Sequence, residues 1–146
     1  MGEVDFNIVT MKQVAPERTG WRDEKISMRH RLWGFDCPAV DLDFVMVEFD
    51  SGKVCAIVEY KNEFAAIQYS THPSYKAIRD LADKAKVPFV ACRYASDFSS
   101  WKATPINHYA KKYLSEPVEF SEKGWVELLY RIRGRIFKTD LFEHPI

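Results

Sequence analysis

Residues 38–61 read PAVDLDFVMVEFDSGKVCAIVEYK. Two runs within them, 41–49 and 53–60, are dominated by β-branched and aromatic residues, the composition of strands. Asp50-Ser51-Gly52 between them is turn chemistry, with a glycine available for positive φ. A β-hairpin is the prediction. Its charges need a reason: Asp41 and Asp43 enter the first strand and Glu59 and Lys61 leave the second, although burial of a charge is costly unless it is paired.

A three-residue turn, type I and closed by Gly52 in the left-handed region, makes Phe49 face Lys53. Counting outward sets Asp43 opposite Glu59 and Asp41 opposite Lys61, all on one face, with paired Cβ atoms about 5 Å apart. A two-residue turn would send the aspartates to the other face. Carboxylates held face to face repel, and a divalent cation between them removes the conflict. Oxygen-only ligands suit Mg²⁺, with Mn²⁺ as a substitute; Mg²⁺ takes one or two carboxylates and leaves positions for phosphate oxygens. The expected ligands are Asp43 and Glu59, with Asp41 as a second ligand or a partner for Lys61. Lys61 would orient or activate a water, or offset charge building on a phosphoryl group. That is the apparatus of phosphodiester hydrolysis.

The flanking segments supply the frame. Residues 4–9 read as a short strand, and 22–32 as a helix ending before Gly34. Residues 54–58 are apolar without alternation, which predicts a central strand covered on both faces. THPSYKAIRDLADKAK (71–86) places Tyr75, Ile78, Leu81 and Ala82 at helical spacing behind a Thr/Pro/Ser start, and VPFVACRY (87–94) reads as a buried strand. Strand, helix, strand implies a right-handed crossover between parallel neighbours in a mixed sheet. A strand at 101–104 leads to Pro105, which suits the first turn of a helix through about 114. Ser121 caps a last helix whose Trp125, Leu128, Leu129 and Ile132 form one stripe, stopping at Gly134. The expected fold is α/β: a mixed sheet with a central hairpin flanked by helices, one domain over 1–146, helical over about 105–135.

A Pro and Asp leading into an apolar strand, then Glu-x-Lys at the end of the next, resembles the PD-(D/E)XK nuclease superfamily. Here the match is Pro38 with Asp41 or Asp43, followed by Glu59-Tyr60-Lys61; Pro38 and the aspartates are not adjacent. The resemblance covers about residues 20–95. It implies the restriction-endonuclease-like αβββαβ core of archaeal Holliday-junction resolvases, lambda-type exonucleases and many restriction enzymes. It also implies Mg²⁺-dependent cleavage of DNA, and a contribution from a glutamate on the first helix, for which Glu24 is the residue. Junction resolution would require a homodimer presenting two sites to a symmetric substrate.

Composition bounds the rest. A chain of 146 residues, 47% hydrophobic and 29% charged, belongs with globular domains rather than disordered chains. Basic and acidic residues balance at 21 each, so any nucleic-acid surface is local rather than global. Arg29, His30 and Arg31 form one basic cluster expected to grip DNA phosphates, with a helix end decorated by favourable positive charge as the other reading. Residues 101–138 carry eight basic residues against four glutamates. Among them Lys111, Lys112, Arg131, Arg133 and Arg135 are the expected DNA-backbone contacts; cations complementing a helix C-terminus account for Arg131 and Arg133 as well. The histidines lack zinc-ligand spacing and no glycine-rich phosphate loop is present. Three cysteines without a CxxC pair, no positively charged leader and no apolar span predict a reduced, cytoplasmic protein away from membranes. The rival expectation is a non-catalytic nucleic-acid- or protein-binding module on a nuclease-like scaffold.

Overall fold

The computed structural model describes residues 24–36, 38–48, 50–66 and 71–137. The strand expected at 4–9 lies outside them, as do Cys37, Phe49 and Lys138. The chain divides into two compact units, Met1–Ala39 with His144–Ile146, and Val40–Glu143. The first carries helix α1 (Glu24–Trp33), close to its expected place, and a single 3₁₀ turn, Gly34–Asp36. Gly34 takes φ +59°, the left-handed conformation glycine allows at a helix end.

The second unit is a five-stranded mixed sheet. Its strands are β1 (Phe44–Glu48), β2 (Lys53–Asn62), β3 (Phe89–Tyr94), β4 (Trp101–Pro105) and β5 (Val118–Phe120), arranged β1-β2-β3-β4-β5. Helix α2 (Pro73–Ala85) connects β2 to β3, which are parallel as the crossover requires; every other neighbouring pair is antiparallel. Helix α3 (Glu122–Ile132) follows β5. The α/β class, the mixed sheet and the crossover are as expected. The central position of the hairpin is not: β1 is the edge of the five strands and β3 their middle. Between α1 and α2 the described residues hold two strands, where the αβββαβ core has three.

Side-chain alternation along β2 sorts its residues between two cores. Ala56 and Val58 face Trp125, Leu128 and Ile132 of α3, together with Val90, Cys92 and Ala103. Ile57 faces Tyr75, Ile78 and Ala82 of α2, together with Val87 and Phe89. The unit therefore has three layers, with one helix on each face of the sheet. Both helices are capped by the residues that precede them. The His72 ring accepts the Ser74 N–H ahead of α2, and Ser121 Oγ accepts the Gly124 N–H ahead of α3.

The helix expected from Pro105 does not form. Pro105 ends β4 opposite Val90, and only a 3₁₀ turn, Ala110–Lys112, follows. Buried Asn107 explains the difference. Its Oδ1 accepts the Phe89 and Ala110 N–H groups and its Nδ2 donates to the Val87 carbonyl and Asp83, so one side chain takes partners a helix would have to supply. The short strand β5 falls between the two expected helices, where no element was read. No helix among the described residues is long and apolar enough to cross a membrane.

Candidate functional site

The hairpin reaches the expected pairing by an unexpected route. Glu48, not Phe49, faces Lys53, so the connection is one residue longer than the predicted turn; Gly52 sits in it at φ +67° and its N–H donates to the Glu48 carbonyl. Carried along a regular ladder, that register would bring Asp43 level with Val58 and onto the apolar face packed against α3. It is corrected within the hairpin. Val47 pairs with Val54, but Met46 pairs with Ala56, leaving Cys55 as the extra residue of a β-bulge. Beyond it Phe44 pairs with Val58, which places Asp43 level with Glu59. The apolar pattern selects this slip, because it packs Met46 beside Ala56 in the core under α3.

Asp43 then ends the ladder. Its Oδ2 accepts the Tyr60 N–H at 3.0 Å, taking the role of a backbone carbonyl and fixing the carboxylate against β2. Glu59, on the same face, is only 7% exposed. Its Oε1 stands 3.8 Å from Lys61 Nζ, while its Oε2 is buried with no hydrogen-bond partner. Burial is the main reason its pKa is raised above the ordinary glutamate value, and the Asp43 charge adds to it. Lys61 and the Asp43 backbone pull the other way, and Asp41 contributes further repulsion. Asp41 itself is exposed and precedes β1. Thus three carboxylates and one ammonium act on a single corner of the sheet. Among the described residues, no three His, Cys, Asp or Glu side chains converge as a ready metal cage.

Two residues of this corner carry no sequence signal that singles them out. Tyr75, in the first turn of α2, is buried with its ring edge-on to Phe89 at 5.7 Å. Its phenol pKa is raised, first by burial and then by the Glu59 charge; Arg93 opposes this and Asp43 reinforces it. Arg93 of β3 is the in-register neighbour of Lys61. Its guanidinium donates to the carbonyls of Asn62, Glu63, Ala65 and Ala66, the turn by which the chain leaves β2. The parallel pairing of β2 with β3, expected from the order of elements, brings Arg93 to this place, but its register has no local mark in the sequence.

The expected DNA contacts are dispersed. Arg133 Nε donates to Glu48 Oε1 at 3.0 Å, and Arg135 binds Glu48 Oε2, at the opposite end of β1 from Asp43. Arg131 donates to the Tyr113 carbonyl. Lys111 and Lys112 are exposed on the 3₁₀ turn beyond Pro105, past the end of β3 remote from Arg93, and Lys112 Nζ lies over the Tyr109 ring. Glu24 is the first residue of α1; Arg29 and Arg31 are exposed along it, and His30 packs edge-on to Trp33 at 4.6 Å. These four belong to the first unit. No protein-family model, no curated protein and no solved structure matches the chain.

Proposed function

We propose that this protein is a metal-dependent nuclease that hydrolyses DNA phosphodiester bonds at the Asp43–Glu59 corner. One observation carries the reading: a buried glutamate oxygen without a partner, beside a second carboxylate pinned by a backbone N–H. An anion in that position is costly to bury and gains most from a cation. The donor set fits Mg²⁺ or Mn²⁺, because a magnesium site needs only one or two carboxylates and completes its shell with water and substrate oxygens. Asp43 and Glu59 would hold the ion, with Asp41 as the outer carboxylate. When bound, such an ion polarises a phosphoryl oxygen and lowers the pKa of a coordinated water.

The chain's own residues supply the remainder. Lys61 presents an ammonium beside Glu59, where it donates to a phosphoryl oxygen or to the attacking water and offsets developing negative charge. Asp43 and Glu59, held by the edge hairpin, fix the approach of the phosphate. The test uses purified protein with labelled duplex, single-stranded and branched DNA, in Mg²⁺ or Mn²⁺ and in chelator. Metal-dependent cutting of at least one substrate is expected. Lys61→Ala should lower the rate by about 10²-fold or more while the protein stays folded. Failure of the wild type to cut any of them under either metal would remove the reading.

A second reading has an observation in its favour. Lys61 Nζ stands 3.8 Å from Glu59 Oε1, so a binding module that retained the scaffold without the chemistry already has a cation beside that carboxylate. Titration with Mn²⁺ separates the two, since saturable thermal stabilisation belongs to the enzyme and an unmoved Tm to the binding module. Junction resolution further requires a dimer in solution, which sedimentation equilibrium measures directly.

A further inference from the structure

We infer that Arg93 is a positioning residue for Lys61, an inference that rests on the proposed hydrolytic role of this corner. The two residues are register partners on adjacent parallel strands, so their side chains leave the sheet on the same face, with backbones about 4.8 Å apart. Two cations so placed repel unless one is neutralised. The Arg93 guanidinium is bonded to the turn that follows Lys61. Its Nη1 donates to the carbonyls of Asn62, Glu63 and Ala65 at 3.1, 3.1 and 2.9 Å, and its Nη2 faces the Ala66 carbonyl at 3.4 Å.

This arrangement has two effects on the site. The carbonyl oxygens solvate the guanidinium within the turn, and Lys61 is the ammonium beside Glu59. The turn that follows Lys61 is also folded around a single planar group, so the end of β2 is fixed from Glu59 to Ala66. Other bonds close the same turn: the Glu63 N–H donates to the Tyr94 carbonyl, the Ala65 N–H to the Asn62 carbonyl and the Phe64 N–H to Asn62 Oδ1. Among the described residues, Arg93 is the side chain that reaches four of its carbonyls at once. Three of these bonds come from Nη1 alone, so what arginine adds over lysine is Nη2, which reaches the Ala66 carbonyl, and a planar group held in one orientation.

The experiment compares wild type, Arg93→Lys and Arg93→Ala on the best DNA substrate with saturating metal, with and without low-millimolar guanidinium chloride. Circular dichroism and Tm are recorded for each protein. Expected are a kcat lower by about 10- to 100-fold in both variants with KM changed by no more than about twofold, because a small misplacement of a reacting group costs rate rather than affinity. Guanidinium should restore much of kcat to Arg93→Ala and nothing to wild type. Arg93→Lys keeps the charge, so it carries the test if Arg93→Ala does not fold. A folded variant with wild-type kcat overturns the inference while leaving the nuclease reading intact, and so does a loss of kcat that guanidinium leaves untouched in folded Arg93→Ala. A wild type that cuts no DNA under either metal overturns both.

Discussion

At Glu59, function and stability oppose each other. Its folded pKa lies above the ordinary glutamate value, so the native state holds this proton more tightly than the unfolded chain does. Stability from this group is therefore greatest at low pH and falls as pH rises through the raised folded pKa, where a desolvated anion faces Asp43. Glu59→Gln should accordingly raise Tm at neutral and alkaline pH, with the gain vanishing below the ordinary glutamate range. The same variant should lose both DNA cutting and the rise in Tm that Mn²⁺ gives the wild type. A destabilising Glu59→Gln, measured by calorimetry from pH 4 to 8, would show the carboxylate to be satisfied in the apo protein. Glu48 has the reverse sign. Hydrogen bonds from Arg135 and then Arg133 lower its pKa to about 2, so its stabilising contribution is present above the ordinary 4.5 and is lost as pH falls through about 2. The stability difference between wild type and Glu48→Gln should shrink across that window in acid denaturation.

Among the elements, the hairpin joins sequence to site, and it shows how far local reading extends. Strand composition, the turn residues and the pairing of Asp43 with Glu59 were legible between residues 41 and 61. The turn length was not, because a four-residue connection with a bulge and a three-residue turn without one give the same pairing at the far end. The two routes predict different responses to length changes. Deleting Cys55 removes the spare residue, restores a regular ladder and should preserve the rise in Tm with Mn²⁺. Inserting one residue between Phe44 and Met46 turns Asp43 to the opposite face and should abolish both that rise and DNA cutting. Thermal melts with and without Mn²⁺ on the two variants decide the matter. The missed turn at 106–114 has a different cause. Pro105 is a valid helix-start signal, but Asn107 binds the backbone of β3 and the loop before it, which are distant in sequence. Strand β5, three residues long, has too little pattern to announce itself.

For the sheet unit of the molecule, most of the two cores was foreseeable because helical and strand periodicities name which residues must be buried, although Leu81 of the expected α2 stripe is exposed. The neighbours of the site were not. Tyr75 and Arg93 reach it through a crossover whose geometry is global. Arg133 and Arg135, which read as a DNA-facing rim, instead clasp Glu48, an acid whose partner in space lies far along the chain. The parallel pairing of β2 with β3 also sets an order of assembly. The Asp43 bond to Tyr60 closes over 17 residues, whereas the Arg93 bond to Asn62 spans 31 and needs α2 docked on the sheet. Closing the shorter loop loses less chain entropy, which favours an order in which the acids meet first and the guanidinium last. Arg93→Ala should then accelerate unfolding with little change in the folding rate, while loss of hairpin contacts slows folding, as stopped-flow chevrons would register. In that order of closure, the nascent sheet would hold its repelling carboxylates together before the anchor behind Lys61 has closed.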